Sequence, residues 1–200
     1  MRVRENSRRG GDVDHGHGDH TSTARLLAER GLQGTSFSEV LEASGAPRGS
    51  LYHHFPGGKD ELVLAAVGVA GDRAVRILDS LAGQPAPEIA TAFLALWRAV
   101  LVHSEYAAGC AVAAVTVAAG DGALLDRAGE VFRTWRARLA ELLAEGGVDP
   151  AHAPALAVSL IAGAEGAVVL ARAERDISAF DLVAGEQLAA VEAAVVRGRG

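Results

Sequence analysis

The chain has 200 residues, enough for one compact unit or for a small head on a larger body. Half of the residues are hydrophobic but only 4% are aromatic, so the core must be built from Ala, Val and Leu; β-branched runs of alternating polarity are hard to find, and an all-α chain is expected. The net charge of −6 and the single cysteine exclude a broad, non-specific nucleic-acid coat and an intrachain disulfide.

The charge is unevenly placed. Residues 1–60 hold eight Arg/Lys against eight Asp/Glu, and the remainder holds eleven against seventeen. The excess acid therefore lies in the body, which suits a protein whose head alone approaches a polyanion. One cysteine fits a reducing compartment. The first thirty residues lack the apolar core of a signal peptide, and no uninterrupted apolar stretch reads as a membrane span. A cytoplasmic protein with no membrane partner is expected.

In chain order, residues 1–18 are rich in Gly, Arg and Asp and are expected to be a disordered tail. A first helix is expected from about Asp19 or Thr21 to Arg30, with Leu26 and Leu27 on the core of the head. Gly31 and Gly34 punctuate it. Ser36 followed by Glu39 has capping-box spacing and predicts a helix start. Ser44-Gly45-Ala46-Pro47 breaks that helix: Gly45 can take a left-handed conformation and Pro47 suits the first turn of the next. The next helix, residues 48–54, carries Arg48, Gly49, Ser50, Tyr52 and His53, with Leu51 and Phe55 turned inward beside Val40 and Leu62. Two short helices with such a face are how small domains enter the DNA major groove.

A long helix follows to about residue 81, with Val63, Val67, Ala70, Ala74, Ile77, Leu78 and Leu81 as its stripe. Gly83-Gln84-Pro85-Ala86-Pro87 is a break. Ile89, Phe93, Leu96, Trp97 and Val100 mark the next helix. Residues 107–119 are apolar on every side and read as a central buried helix. Gly120-Asp121-Gly122 ends it, with Asp121 able to cap its successor. That successor carries the clearest stripe: Leu124, Ala128, Val131, Phe132, Trp135, Leu139, Leu142 and Leu143. Gly146-Gly147-Val148-Asp149-Pro150 breaks it, and two last helices are expected at about 154–175 and 178–196.

The run Thr35-Ser36-Phe37, Glu39-Val40, Ser44 through Phe55, then Lys59-Asp60-Glu61-Leu62 resembles the DNA-binding domain of the TetR/AcrR family of transcriptional regulators. Pro56-Gly57-Gly58-Lys59 and Gly109-Cys110-Ala111-Val112-Ala113-Ala114-Val115 resemble its LmrA/YxaF-like subgroup. The resemblance implies about nine helices: a three-helix helix-turn-helix domain at 19–64 behind the tail, and a ligand-binding and dimerising domain at 65–200. It also implies no enzymatic activity, binding to operator DNA as a homodimer, and a habit of repression relieved by a small-molecule effector. The first helix departs from the family, with Gly18, Asp19 and His20 where an apolar pair is usual.

Candidate DNA contacts are Thr35 and Ser36 at a helix start, where hydroxyls and N–H groups can hold a phosphate, and Arg48, Ser50 and His53 for base edges. Pro47 opens their helix, and Gly49 allows it close to the groove. The family pattern adds Tyr52 and Lys59 as phosphate contacts. Candidate ligand-binding residues are Phe93, Trp97, Cys110, Val115, Phe132, Trp135 and Leu139 as apolar walls, with His103, Tyr106, Thr116 and Glu165 as polar handles. Ala155, Ala162, Gly163, Gly166 and Ala167 could let helices of two chains approach, with Leu156, Leu160, Val169, Leu188, Val191 and Val195 as apolar area. Plain intrachain core is the competing reading. No cofactor and no metal site is expected: His15, His17 and His20 lie in a Gly-rich tail without a fourth ligand. Two alternatives stay open, a redox-responsive regulator acting through Cys110 and a helical interaction module that binds no DNA.

Overall fold

The structure, a computed structural model, describes residues 12–45, 53–120 and 122–197. Among these there are eight helices and no strand. The helix expected at 48–54 falls mostly outside the described residues, which accounts for the difference from about nine; His53 and His54 are helical. The head comprises α1 (Asp12–Arg30), α2 (Phe37–Ser44) and the start of α3 (Lys59–Asp79). The body comprises the rest of α3 with α4 (Ala86–His103), α5 (Ala111–Ala118), α6 (Ala123–Glu145), α7 (Ala153–Glu174) and α8 (Ser178–Arg197).

Helix α1 begins at Asp12, so residues 12–18 are helical where a disordered tail was expected. Helix α2 starts on the expected capping box: Ser36 Oγ accepts from the Glu39 N–H at 3.3 Å, and the Ser36 N–H donates to Glu39 Oε2 at 2.9 Å. It ends at Gly45, whose φ of 68° is the left-handed cap and whose N–H reaches the Leu41 carbonyl.

Leu26, Val40, Phe55 and Leu62 form the small core of the head. Leu27 does not join them. It is fully buried in the much larger body core, because adjacent residues on a helix point about 100° apart. Helix α1 is thus shared between the two cores. Further bonds join them: the Gly109 N–H donates to the Ala28 carbonyl at 2.9 Å, and Arg172 Nη2 donates to the carbonyls of Glu29 (3.3 Å) and Ala107 (2.9 Å). Helices α3 and α6 meet closely at Gly71, where a Cβ would lie 2.8 Å from a methyl of Val131. Trp135 Nε1 donates to the Gly71 carbonyl there, at 3.1 Å.

Three expectations need correction. Residues 107–119 are not one buried helix: α5 covers only Ala111–Ala118, and Val117 is 85% exposed. Glu105 and Tyr106 take left-handed φ values of 50° and 65° and turn the chain, after which it runs non-helically so that Gly109 can reach α1. Second, the N-cap position of α6 is Gly122, without a side-chain cap, and Asp121 lies outside the described residues. Third, Ala86–His103 and Ala153–Glu174 are long and apolar enough, by length and composition, to cross a bilayer. Alanine supplies their apolarity in runs broken by isolated charges, so no continuous stretch flags them. Both are packed into the bundle, with Ile89, Leu94 and Leu101 of α4 and Leu156, Leu160 and Val168 of α7 buried.

Candidate functional site

The head presents the start of α2 on its surface. Ser36 is exposed there, and Glu39 beside it is held below its usual carboxylate range by the Ser36 hydroxyl first, with Arg30 at 3.0 Å adding to the effect. Thr35 is buried (1% exposed) and donates its hydroxyl to the Gly31 carbonyl at 2.9 Å. Lys59, at the first position of α3, donates Nζ to the Leu32 carbonyl at 2.6 Å. These two residues therefore fasten the turn 31–35 that places Ser36. An ammonium has three donors, so Lys59 keeps two for other acceptors. His53 is exposed, with its ring edge-on to that of His54 at 5.7 Å. Pro47, Arg48, Gly49, Ser50 and Tyr52 lie outside the described residues. His20 packs edge-on against Phe55 at 5.3 Å, turned into the head rather than toward a tail metal site. Among the residues described, no three His, Cys, Asp or Glu are grouped to hold a metal.

In the body, Phe93, Trp97 and Trp135 come together around an apolar cavity of about 40 Å³. Its other walls are Leu96, Ile161 and, from α3 and the turn after it, Ala74, Ile77, Leu78 and Leu81. The α3 wall was legible only as an amphipathic stripe, since nothing local says which neighbour a stripe faces. Phe132 lies behind, edge-on to Trp135 at 5.4 Å, and Leu139 is fully buried in the core. His103 points away: it is exposed, with Nδ1 2.7 Å from the Ala99 carbonyl. Thr116 spends its hydroxyl on the Val112 carbonyl, and Tyr106 sits half-buried against the core.

Cys110 and Val115 are buried. Cys110 occupies the N-cap position of α5, where Sγ accepts from the Ala113 N–H at 3.4 Å. It lies near Glu165 of α7, and the two groups act on each other's titration. Burial, reinforced by this carboxylate, pushes the thiol well above its ordinary range. Burial likewise raises the Glu165 carboxyl to about 7, with nearby Cys110 acting in the opposite direction. Glu165 Oε1 and Trp97 Nε1 are both buried without a hydrogen-bond partner among the described residues.

The outer face of α7 and α8 is apolar and uncovered. Ala155, Val158, Ala162, Gly166, Val169 and Leu170 recur at three- and four-residue spacing on α7, facing outward, as do Leu182, Gly185 and Ala189 on α8. Several residues expected on that face are instead intrachain core: Leu156, Leu160, Ala167, Val191 and Val195 are buried. Gly163 faces α8, where Gln187 donates to the Ser159 carbonyl at 2.6 Å. Val158, Leu170 and Leu182 were missed as outward-facing.

A head of α1, the capped α2 and the start of α3, carried on a helical body, has the layout of a helix-turn-helix regulator. Residues 21–66 match the profile described as bacterial regulatory proteins, tetR family, and residues 86–186 match that of the transcriptional regulator LmrA/YxaF-like C-terminal domain. The chain is 39% identical over 169 residues to an HTH-type transcriptional regulator of Mycobacterium tuberculosis, covering 81% of this chain and 86% of the relative. It is 28% identical to the regulator YxaF of Bacillus subtilis, with 82% and 88% covered. A crystal structure of a TetR regulatory protein from Rhodobacter sphaeroides superposes with a TM-score of 0.76 at 25% identity, covering 86% of this chain and 96% of that one. The chain belongs to the TetR family of transcriptional regulators, in its LmrA/YxaF-like branch. It is a DNA-binding regulator and not an enzyme.

Proposed function

We propose that the chain is a ligand-responsive repressor, held on a near-palindromic operator as a homodimer and released when a small apolar or aromatic effector enters the body. One observation supports this most: α3 begins at Lys59 in the head, and its far end walls the cavity with Ala74, Ile77 and Leu78. A single helix thus joins the DNA-reading end to the place where a ligand would lodge. A cavity of about 40 Å³ has room for roughly one or two waters, whereas small-molecule sites run to about 300–1,000 Å³. An effector must therefore part α3 from α4 and α6, and the head moves with α3. The ligand shifts the equilibrium only by its differential affinity for the two arrangements.

On DNA, the start of α2 at Ser36 and the remaining donors of Lys59 would hold phosphates, together with Tyr52. Thr35 would act through the turn it fastens. Arg48, Ser50 and His53 would read base edges, Arg48 in two-point fashion on a guanine. The uncovered face of α7 and α8 would pair with its copy about a twofold axis, setting two heads on successive major grooves. A protein acting on the bacterial chromosome would work in the cytoplasm. Redox control through Cys110 is the weaker reading, because a thiol kept protonated by burial is a poor nucleophile. Arg48→Ala is expected to cost about 1–3 kcal/mol in operator affinity, measured by fluorescence anisotropy at fixed salt. Unchanged affinity would favour an interaction module that binds no DNA through this helix.

A further inference from the structure

A helix leaves its last four carbonyls without intrahelical partners. At the end of α1 the body takes up two of them: the Ala28 carbonyl accepts from the Gly109 N–H at 2.9 Å, and that of Glu29 from Arg172 Nη2 at 3.3 Å. The same Nη2 donates to the Ala107 carbonyl at 2.9 Å. One guanidinium nitrogen thus bonds both the head and the segment before α5. A cation suits that place, at the negative end of the α1 dipole. Gly109 makes room for it, since a Cβ there would lie 2.9 Å from Arg172 Nη1 and 3.4 Å from its Cδ. Arg172 stands in the last turn of α7, just beyond Val169 and Leu170 of the uncovered outer face.

We propose that Arg172 is a positioning residue for operator recognition: it ties the end of α1 to the helix that carries the outer face, and so sets the angle of the head and the spacing of two heads in a pair. The inference rests on the homodimer reading given above. Through α3 alone the head would be held by one helix, about whose axis it could turn. Leu27 and Leu32 pack onto the body core, but apolar burial is non-directional and tolerates a pivot. Hydrogen bonds weaken steeply when bent, and those from a guanidinium are the stronger kind. The partners of Arg172 are the main-chain carbonyls of Glu29 and Ala107, outside the candidate DNA contacts. Affinity for a single half-site should therefore not depend on it.

The test uses duplexes recovered by selection from random sequence with the full chain, then rebuilt with one base pair added or removed at the centre. Each change moves the half-sites by about 3.4 Å and turns one against the other by about 35°. Affinity is read by fluorescence anisotropy at fixed salt. Wild type is expected to lose about tenfold or more on either change, because a rigid pair cannot engage both half-sites at once. Arg172→Met, checked for folding by circular dichroism, is expected to lose less than about threefold, its heads being free to turn. It is also expected to bind a duplex with one half-site as wild type does. Arg172→Gln, whose shorter amide cannot span both carbonyls, is expected to match it and carries the test if Arg172→Met unfolds. Arg175→Met, which removes a neighbouring exposed charge, is expected to keep the wild-type preference. The proposal is overturned if the folded Arg172 variants keep the spacing preference, if their half-site affinity falls along with that for the selected duplex, or if Arg175→Met flattens the preference as much. Sedimentation velocity on wild type separates the two readings. A wild-type monomer on a single half-site sinks the homodimer reading and the proposal with it. A wild-type pair that is indifferent to spacing, or whose preference survives loss of Arg172, sinks the proposal alone.

Discussion

Leu182→Asp is expected to separate the chain into monomers and to weaken operator binding by about 10²- to 10⁴-fold, the gain that linking two binding modules typically supplies. Leu182 is 73% exposed and Val169 65%, so these side chains contribute little to the fold of a single chain. On the proposed reading, their apolar surface would meet a second copy of the chain. A carboxylate at position 182 would be buried against its symmetry mate and against the apolar α7 face, without a cation to pair with. The measurement is sedimentation velocity for the assembly and anisotropy for operator affinity. Val117→Asp serves as the control, since Val117 is 85% exposed on α5 and should change neither. A Leu182→Asp chain that stays dimeric and binds as before would place the partner surface elsewhere.

Glu165→Gln is expected to stabilise the protein, and only at neutral to alkaline pH. In the unfolded chain the carboxyl titrates at its ordinary 4.5, and in the folded chain at about 7, because burial disfavours its charge. Between these values the native state holds a proton that the unfolded state has released. Stability therefore falls as pH rises from 4.5 toward 7 and levels off above it. The gap corresponds to at most roughly 3 kcal/mol, which glutamine, neutral at every pH, does not lose. Urea unfolding of wild type and variant at equal protein concentration should show the variant ahead by up to about that amount at pH 8. Near pH 4.5 the two should nearly coincide. A variant less stable than wild type at pH 8 would mean that the folded chain supplies Glu165 with a favourable partner.

How much of this was legible beforehand depends on the range of the interaction. Ser36, Glu39 and Gly45 could be read directly, because a cap is made by residues within a few positions of one another. The breaks at Pro85 and Gly146 and the limits of the last two helices were equally local. Thr35 and Lys59 could be chosen as head residues, but their inward bonds could not be foreseen: Lys59 reaches the Leu32 carbonyl, 27 positions away. The meeting of Cys110 with Glu165 needs the fold itself, since it depends on how α5 lies against α7.

Phase was the other obscurity. Neighbours such as Leu26 and Leu27 serve different cores, and on α7 the small residues divide between an inner face, with Ala164 and Ala167, and an outer one, with Ala162 and Gly166. In a helix this rich in alanine the apolar pattern runs almost all the way round, so sequence cannot tell the two faces apart. The φ-strained turn at Glu105 and Tyr106 carries no glycine, which is why residues 107–119 read as one continuous helix.

The most direct measurement is selection of binding sites from random duplexes with the purified full-length chain, followed by footprinting of the enriched sequence. Two heads related by a twofold axis should enrich an inverted repeat whose half-site centres lie about 10–10.5 base pairs apart or a multiple of that, both protected on one face of the duplex. A single unrepeated half-site, or no enrichment over random DNA, would contradict a symmetric pair reading the major groove.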